Sequence, residues 1–600
     1  MQCCNRSYRN ILIQIIVWNL IFQKLKAGFC VSNGIEFLQP NNPTEEERRQ
    51  MIRIALEAAN HPEDFDNLIE LLSPPVDITS FASPTECRGK KVGIIGGGLA
   101  GLSSAYELRK LGFDITIFEM QESRIGGRVY TYYFDAEKQL YGELGAMRIP
   151  VIHGTTWHYI DLFGLNTRPF IQNNENAFIY VRNRRARNDP EGLDVMKKIY
   201  PEFPLTQSER TTSWRELLDF ALTTLFFSIP TEVRRELLEI REKYSEQIVS
   251  LDYYNIRQIM EMMGLSEGAM ELLSCVMPFI GSLYYNSYYE SLQETYTVDT
   301  DFRYEIVGGM VKLPLAFYHS LVTNQEELKT RPENSNYGNV IWNSGKMVTG
   351  IYQDDFSDEV TIESKNMKTL AEDRENFDFV ICTIPFSSLR NVTIFPMFST
   401  GKMQAIKEVT YVANQKTVLK CRNRFWERGN IDERILGGGS YTDLPISSIW
   451  YPSDHANLRE AYLNENSLWE NPGVLLASYN LTQNAIRLGN LEESIRIENV
   501  KRQVEAVHGL PRGYLDDIVE EAKSIQWDNE QGFYGGFCYY SPEQKRLFSY
   551  AMIEPEFNNR VYFAGEHTSS THGWQQGALH SGMEAANAVA KFCSDFIMEV

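Results

Sequence analysis

A glycine turn in this chain has the spacing that a dinucleotide requires. The segment VGIIGGGLAG places Gly96, Gly98 and Gly101 directly after an apolar strand and directly before a helix that begins at Leu99 and Ala100. The first glycine permits a tight turn, the second lets the backbone approach a pyrophosphate, and the third lets helix pack on strand. The unpaired N–H groups at the helix N-terminus suit phosphates. We therefore expect a dinucleotide site at this turn.

Charged residues that complete such a site follow the turn. Glu119 ends the second strand, DITIFEM, about 20 residues after the turn, where a ribose-binding acid belongs. An acid there suits an unphosphorylated adenosine ribose and disfavours NADP. The next segment, SRIGGRVYT, adds Gly127, which allows close approach, and Arg128, which can neutralise a phosphate. The alternative for Arg128 is a surface salt bridge.

An arginine lies within an apolar run further on, in YGELGAMRIP. Arginine is seldom buried without an anionic partner, because removing its hydration is costly. The planar guanidinium of Arg148 can bind a carboxylate through two hydrogen bonds. We expect that partner to be a substrate carboxylate, and the alternative is an ion pair with a nearby Asp or Glu.

In this order the segments resemble the flavin amine oxidase family, which binds FAD. In VYFAGEHTS, Glu566 follows a strand, and the resemblance implies that it bonds the ribityl hydroxyls. A helix beginning near Gly573 would direct its positive end at the flavin ring. The segment FVICTIPFSSLR resembles the strand that closes the FAD domain, and the strand near Val340 resembles the segment that contacts adenine. The resemblance covers residues 88 to 593.

Within that family, the segment containing Arg148 is similar to that of L-amino-acid oxidases, whose matching arginine holds the substrate α-carboxylate. The segments NENAFIYVRN, YEIVGGMVKLP and TDLPISSIWYPSDH match in the same way. The last of these places Tyr451 where a tyrosine of the family shares the carboxylate; a core aromatic residue is the alternative. The resemblance also implies that Gly145, Ala146, Met147 and Arg148 contact the cofactor.

Further site residues are implied by the resemblance. Lys416 matches the lysine that holds a water near the reactive flavin nitrogen, although a lone lysine is more often solvated. Trp527 matches a tryptophan that packs on the flavin, with plain core as the alternative. Trp574 would flank the substrate together with Tyr451, and the carbonyl of Gly573 would accept a hydrogen bond from the α-amine.

Two departures from the family pattern limit what can be transferred. Some L-amino-acid oxidases have a helical-domain histidine proposed as a base, but this chain has no histidine between His158 and His319. In monoamine oxidases a flavin-bearing cysteine follows a glycine pair directly, whereas here Phe537 precedes Cys538. We therefore expect non-covalent FAD, with Phe537 lining the pocket for the substrate side chain.

The elements that position these residues predict an α/β fold. A discontinuous, Rossmann-like FAD-binding domain is expected beside a mixed α+β substrate-binding domain and an inserted helical domain. Residues 43–72 are expected to form a helix capped by Thr44. The expected order is a signal peptide (1–30), an N-terminal helical segment (31–87), FAD-binding parts (88–150, 301–400, 555–600), substrate parts (151–204, 401–554) and the helical domain (205–300).

Composition limits the class of partner. The 600 residues are 43% hydrophobic and 23% charged, as in globular proteins, and the net charge of −21 argues against nucleic acid or anionic membrane as a main partner. No pair of cysteines has the C-x-x-C spacing of zinc or thioredoxin sites, so no metal is expected. The apolar run ILIQIIVWNLIF, flanked by basic residues, suits a signal peptide better than a spanning helix and predicts secretion.

The expected function is oxidative deamination of L-amino acids to 2-oxo acids, ammonia and hydrogen peroxide, with FAD and O₂. The first alternative is an amino-acid 2-monooxygenase, which forms an amide by oxidative decarboxylation. A monoamine or polyamine oxidase, or a secreted defence protein without turnover, is the second. Sequons at Asn391 and Asn480 support secretion only slightly, and family members are often homodimers. The preferred side chain is left open.

Overall fold

The computed structural model describes residues 39–323, 327, 330, 336–354, 358–456 and 468–599. The expected signal peptide, residues 1–30, and residues 31–38 of the expected N-terminal helical segment lie outside this part of the chain. Within it, no helix combines the length and the apolar character needed to cross a membrane.

The first described segment forms two helices, so the expectation of one helix over residues 43–72 is wrong. The helix Glu45–Ala58 begins at the expected cap, where Thr44 and Glu47 each accept a hydrogen bond from the other's backbone N–H. It ends before Pro62, which has no N–H to donate within a continuing helix. A short turn follows, and the second helix is Phe65–Leu72.

A five-stranded parallel sheet carries the glycine turn. Its strands lie in the order Val340–Ser344, Asp114–Glu119, Lys91–Ile95, Phe379–Cys382 and Val561–Phe563. Neighbouring strands are therefore contributed by distant parts of the chain. This topology confirms the expected α/β class with a Rossmann-like, discontinuous sheet, whereas the expected domain boundaries remain predictions.

Both faces of this sheet are covered. On one face, the helix Leu99–Leu108 packs against the C-terminal helix Gln575–Glu599, and the hydroxyl of Ser104 donates to the carbonyl of Gly582. On the other face, a four-stranded mixed sheet packs so closely that a Cβ on Gly93 would lie 2.6 Å from the Cδ1 of Ile362. The strands of that sheet are Lys346–Gln353, Val360–Asn366, Glu372–Phe377 and Thr393–Phe395.

The second large sheet is mixed and has seven strands. Its order is Val519–Gln526, Asn414–Cys421, Gly473–Leu481, Ser448–Trp450, Gly439–Thr442, Phe178–Val181 and Arg184–Arg187. The core beneath it includes Val500 and Val504 of the helix Glu493–His508. Three smaller sheets pair Thr131–Tyr133 with Tyr141–Glu143, Tyr411–Val412 with Phe537–Cys538, and Arg303–Ile306 with both Ile149–Pro150 and Thr167–Phe170.

Short helices predominate between residues 193 and 296, close to the expected helical domain. They are Leu193–Lys198, Gln207–Arg210, Trp214–Phe227, Thr231–Arg234, Glu246–Asp252, Ile256–Met262, Glu267–Val276, Pro278–Ser282, Tyr288–Ser291 and Gln293–Tyr296. The remaining helices are Gly154–Leu162, Lys312–Tyr318, Phe386–Leu389, Thr400–Glu408, Thr482–Gly489, Tyr514–Ile518 and Gln544–Ile553.

Candidate active site

A cavity of about 680 Å³ is lined both by the glycine turn and by the seven-stranded sheet. Most of the residues singled out in the sequence line it: Gly96, Gly98, Leu99, Ala100, Glu119, Gly127, Arg128, Gly145, Ala146, Met147, Arg148, Lys416, Trp527, Phe537, Glu566, Gly573 and Trp574. Gly101, Val340 and Tyr451 do not. The cavity therefore brings together the expected cofactor and substrate residues.

The glycine turn has the conformation that the sequence predicts. Gly96 has φ of +107°, a region that favours glycine, and a Cβ on Gly101 would lie 2.1 Å from the Gly96 carbonyl oxygen. Gly101 thus acts by close helix–strand packing and not by contact with the cavity. A Cβ on Gly98 would meet no atom within 4 Å, so the backbone there is open to an approaching ligand.

Glu119 closes this end of the cavity. Its carboxylate accepts hydrogen bonds from the N–H groups of Gly97 at 2.8 Å and Gln121 at 2.7 Å. Burial raises the pKa of Glu119, and those two N–H donors oppose the rise. A fixed acceptor beside the glycine turn fits a ribose hydroxyl, so these residues suit the adenosine half of a dinucleotide.

Arg128 and Glu566 form an ion pair across the cavity wall, with 3.0 Å between Nη1 and Oε1. The same Oε1 accepts from the N–H of Cys538, and Oε2 accepts from the N–H of Gly573, each at 3.0 Å. The expected ribityl contact of Glu566 stays a prediction, since each carboxylate oxygen retains accepting capacity. Arg128 is thus held by a protein carboxylate and not by solvent alone.

Lys416 is buried beside the segment that contains Arg148. Its Nζ donates to the carbonyl of Gly145 at 2.6 Å, and it lies 4.4 Å from the ring centre of Tyr479, its partner on the adjacent strand. Burial and the charge of Arg148 lower the pKa of Lys416 to about 7, although the Glu143 carboxylate opposes this. Lys416 can therefore exist as a neutral amine near neutral pH.

Arg148 shares one acceptor with a second arginine. Its Nη1 donates to Oε1 of Gln172 at 2.9 Å, and Arg303 donates to the same oxygen at 2.7 Å. The two arginines meet because the strand Ile149–Pro150 pairs with Arg303–Ile306, with Pro150 opposite Arg303. The guanidinium of Arg148 also lies 4.7 Å from the ring of Trp450. Among the described residues, no ion pair includes Arg148.

Arg303 is the main site residue that the sequence analysis missed. Burial and the charge of Arg148 lower the pKa of Arg303 to about 10, while Glu294, 3.8 Å away, opposes the shift. The guanidinium lies 5.3 Å from the ring of Trp574. The signal was available, because Arg303 directly precedes the matching segment YEIVGGMVKLP and begins the strand Arg303–Ile306.

Tyr451 is not in the cavity, so its expected role is wrong. It is 1% exposed, and its hydroxyl is hydrogen-bonded to Ser440 and to His508, both at 2.8 Å. Successive side chains along an extended segment point to opposite sides, so Trp450 faces the cavity and Tyr451 faces the core. Tyr441, on the neighbouring strand, lines the cavity. Burial raises the pKa of its hydroxyl, and the charges of Arg148 and Arg303 oppose the rise.

Val340 is also misplaced among the cofactor residues. It is 2% exposed and pairs with Ile115 inside the parallel sheet. The cavity is instead lined by the next strand, through Met347 and Val348. The expectation located the correct part of the chain but chose the strand that lies inside the parallel sheet.

The expected tryptophans and Phe537 do reach the cavity. Trp527 is fixed by a hydrogen bond from its Nε1 to the carbonyl of Leu144 at 3.0 Å. Phe537 lines the cavity, whereas the neighbouring Cys538 is fully buried and does not. Because Cys538 is turned away, the geometry agrees with a flavin that is not bound through this thiol.

An acidic group on the helical segment also faces this cavity. Glu290 lines it and contacts Nδ1 of His572 at 2.6 Å. Burial lowers the pKa of His572, but Cys538 and Glu290 outweigh burial and hold it well above its usual value. Among the described residues, no cluster of three or more His, Cys, Asp or Glu side chains is arranged to hold a metal.

Comparisons with known proteins agree with this geometry. Residues 99–590 match the family model described as flavin containing amine oxidoreductase. The L-amino-acid oxidase of Sistrurus catenatus edwardsii is 30% identical over 545 residues, which cover 90% of this chain and 92% of that protein. Bordonein-L, the L-amino acid oxidase of Crotalus durissus terrificus, is 30% identical with the same coverage. A putrescine oxidase structure with bound putrescine shares the fold, with a TM-score of 0.62, 15% identity, and coverage of 85% of this chain and 99% of that one.

Proposed function

Because the chain belongs to the flavin-containing amine oxidoreductase family, we propose that it oxidises L-amino acids to 2-oxo acids, ammonia and hydrogen peroxide. The observation that carries this proposal is the pair of Arg148 and Arg303 on one neutral oxygen of Gln172, in the cavity that the glycine turn also lines. The relatives named L-amino-acid oxidase support the same substrate class.

The two arginines suit an α-carboxylate better than a simple amine. A guanidinium forms charge-assisted, two-point hydrogen bonds with carboxylates, and two neighbouring guanidinium groups repel a protonated amine. Gln172 supplies only a neutral oxygen, so a substrate carboxylate would give Arg148 an anionic hydrogen-bond acceptor in place of a neutral one. Tyr441 and Trp450 border the same place. Substrate bound there is oriented by its carboxylate.

FAD is the cofactor. Its adenosine half would lie by the glycine turn and Glu119, and its flavin half near Trp527, Lys416 and Glu566. When bound, FAD accepts the hydride of the substrate α-carbon and passes two electrons to O₂. The position of Cys538 supports non-covalent attachment, which predicts that acid precipitation releases all of the flavin into the supernatant.

Protein groups around the reacting carbon would have separate tasks. In our proposal the Gly573 carbonyl accepts a hydrogen bond from the substrate amine, and Trp574 and Phe537 exclude water from the α-carbon. Neutral Lys416 can hold a water molecule through its lone pair, which suits hydrolysis of the imino product. In this proposal the two arginines orient the substrate, and Lys416 handles protons.

The deciding experiment is a peroxide assay of the FAD-loaded protein with the twenty L-amino acids and their decarboxylated amines. We expect turnover of amino acids and none of the matching amines, with one 2-oxo acid and one ammonia formed for each peroxide. A protein that holds FAD but oxidises no amino acid would refute the proposal. Turnover of amines alone would instead identify a monoamine or polyamine oxidase.

The second candidate is an amino-acid 2-monooxygenase, because the arginine pair would hold the same substrate for oxidative decarboxylation. Mass spectrometry distinguishes the two reactions, since an amide one carbon shorter replaces the 2-oxo acid and carbon dioxide is released. We further propose that the chain is exported. Release of tagged full-length protein into the medium of eukaryotic cells would support export, and retention inside the cells would contradict it.

A further inference from the structure

Two cysteines from distant parts of the chain meet outside the active site. Cys87 precedes the first strand of the parallel sheet, and Cys593 lies near the end of the C-terminal helix Gln575–Glu599. Both are buried, at 0% and 2% exposure, and the two thiols interact with each other. The adjacent residues are also joined, because Ser594 Oγ donates to Glu86 Oε1 at 2.6 Å.

The contact extends along one face of the helix. Asn587, two turns before Ser594, donates from Nδ2 to the carbonyl of Val76 at 2.8 Å. Residues seven positions apart lie on the same face of an α-helix, so the segment from Val76 to Cys87 runs along that face. The backbone on both sides of the thiols is thus already fixed before any covalent bond forms.

We propose that Cys87 and Cys593 are a disulfide site that closes when the folded protein meets a disulfide-containing oxidant. The thiolate of Cys593 attacks one sulfur of the oxidant, forming a mixed disulfide and releasing the first thiol. Cys87 then displaces the second sulfur and forms the Cys87–Cys593 bond. The two cysteines lose two electrons and two protons, and the oxidant leaves as two thiols.

The surroundings fix the order of these two steps. The interaction between the two thiols lowers the pKa of Cys593 and raises that of Cys87, while burial raises both pKa values and the charge of Lys90 lowers both. Cys593 is therefore the first thiolate. Among the other described cysteines, Cys275, Cys382, Cys421 and Cys538, none has a cysteine among its hydrogen-bonding or electrostatic partners.

The pairing can be read directly by peptide mapping. Full-length protein is equilibrated with excess oxidised glutathione, denatured, alkylated and digested with and without a reductant. We expect a peptide pair joined through Cys87 and Cys593 that disappears on reduction, with Cys382 and Cys421 alkylated throughout. Alkylation of both Cys87 and Cys593 after oxidising equilibration, or a link from either to another cysteine, would overturn the site.

Single variants test the order of attack in the same buffer. Cys87→Ser should accumulate a glutathione adduct on Cys593, and Cys593→Ser should form the Cys87 adduct at least about tenfold more slowly. Cys382→Ser is the matched control, and it should keep the link. Equal adduct rates in the two variants would refute the assigned order. Oxidised wild type should also melt a few degrees above the reduced protein, and this measurement needs no catalytic activity.

Discussion

Arg128 and Arg148 line the same cavity, but the protein treats their charges differently. Arg128 meets the carboxylate of Glu566 at 3.0 Å and the carbonyl of Gly536 at the same distance. Arg148 meets the neutral amide oxygen of Gln172 and the ring of Trp450. The first cation is hydrogen-bonded to a carboxylate, whereas the second is hydrogen-bonded to a neutral oxygen and feels the Glu294 carboxylate only through its charge.

This difference distinguishes residues that shape the cavity wall from residues that are available to bind substrate. A buried cation that already has a carboxylate partner contributes to the shape of the site, and removing either partner leaves the other charge uncompensated. A cation held on a neutral acceptor retains most of its attraction for an anion. The Arg148 region is therefore the part of the cavity that is prepared for a charged substrate, and the Arg128 region is the part that holds the wall in place.

The strongest test of this contrast is Arg148→Met, which keeps side-chain bulk but removes the charge. We expect kcat/KM for the best L-amino acid to fall by about 10³-fold or more, because a carboxylate would enter without its main partner. Steady-state peroxide assays measure this effect. Arg374→Met, on an exposed hairpin strand, is the control and should retain full activity. An Arg148→Met enzyme with unchanged kcat/KM would refute the carboxylate role.

Lys416 gives a second test, because its pKa of about 7 predicts a pH dependence. Above that pH the neutral amine can accept a hydrogen bond from water through its lone pair, whereas below it the ammonium can only donate hydrogen bonds. Activity should therefore rise with pH through 7, and Lys416→Met should lower kcat by about 10²-fold and remove this ionisation from the profile. Lys402, buried elsewhere with a pKa also lowered to about 7, is the control. Loss of the ionisation in Lys402→Met instead would contradict the assignment.

The same two lysines predict a stability effect. An unfolded lysine titrates near 10.4, so between about pH 7 and pH 10.4 the unfolded chain binds a proton at each lysine that the folded chain does not. Stability contributed by these groups therefore rises with pH across that window. Lys416→Met and Lys402→Met should each flatten the rise in melting temperature between pH 7 and pH 10. A slope equal to that of wild type would show that the lysine stays charged when buried.

Glu566→Gln tests the part of the cavity wall that Arg128 and Glu566 hold in place. The amide keeps one accepting oxygen, but its NH₂ group would face either the cluster of Arg128 and the Cys538 N–H or the Gly573 N–H. Losing charge-assisted hydrogen bonds should weaken FAD retention by about 10- to 100-fold. Fluorescence of released FAD during dialysis measures this, and Glu375→Gln, at an exposed position of the strand Glu372–Phe377, is the control. FAD retention equal to that of wild type would show that Glu566 does not help to hold the cofactor.

The cofactor end was predictable because its signals are local. Gly96, Gly98, Gly101 and Glu119 belong to one strand–turn–helix–strand unit, and their spacing specifies the backbone directly. Only the choice of Val340 failed there, since the resemblance located two consecutive strands without deciding which of them faces the ligand.

The substrate end was less predictable because it is built from distant strands. The meeting of Arg148 with Arg303 depends on a strand pairing that local pattern does not report. Similarly, sheet register decides which of Tyr441 and Tyr451 lines the cavity, since a shift of one residue moves a side chain to the other face. Arg303 was therefore missed, and the tyrosine of the cavity was expected at the wrong position.

The final prediction compares Tyr441→Phe with Tyr451→Phe and tests which of the two tyrosines lines the cavity. Tyr441 lines the cavity under the influence of Arg148 and Arg303, so losing its hydroxyl should raise KM for L-amino acids by about tenfold. Tyr451 bonds Ser440 and His508 in the core, so losing its hydroxyl should leave KM unchanged and lower the free energy of unfolding by about 1 kcal/mol. Steady-state kinetics and denaturant melts of both variants provide the two readouts.

The two tyrosines control for each other, because the chemical change is identical and only the side of the sheet differs. A KM effect confined to Tyr451→Phe would mean that the register between Gly439–Thr442 and Ser448–Trp450 is wrong, and the cavity would have to be rebuilt with Tyr451 inside. A KM effect confined to Tyr441→Phe would tie the hydroxyl to the arginine pair. In that case the contrast between the regions of Arg128 and Arg148 extends from the charges to the neutral groups around them.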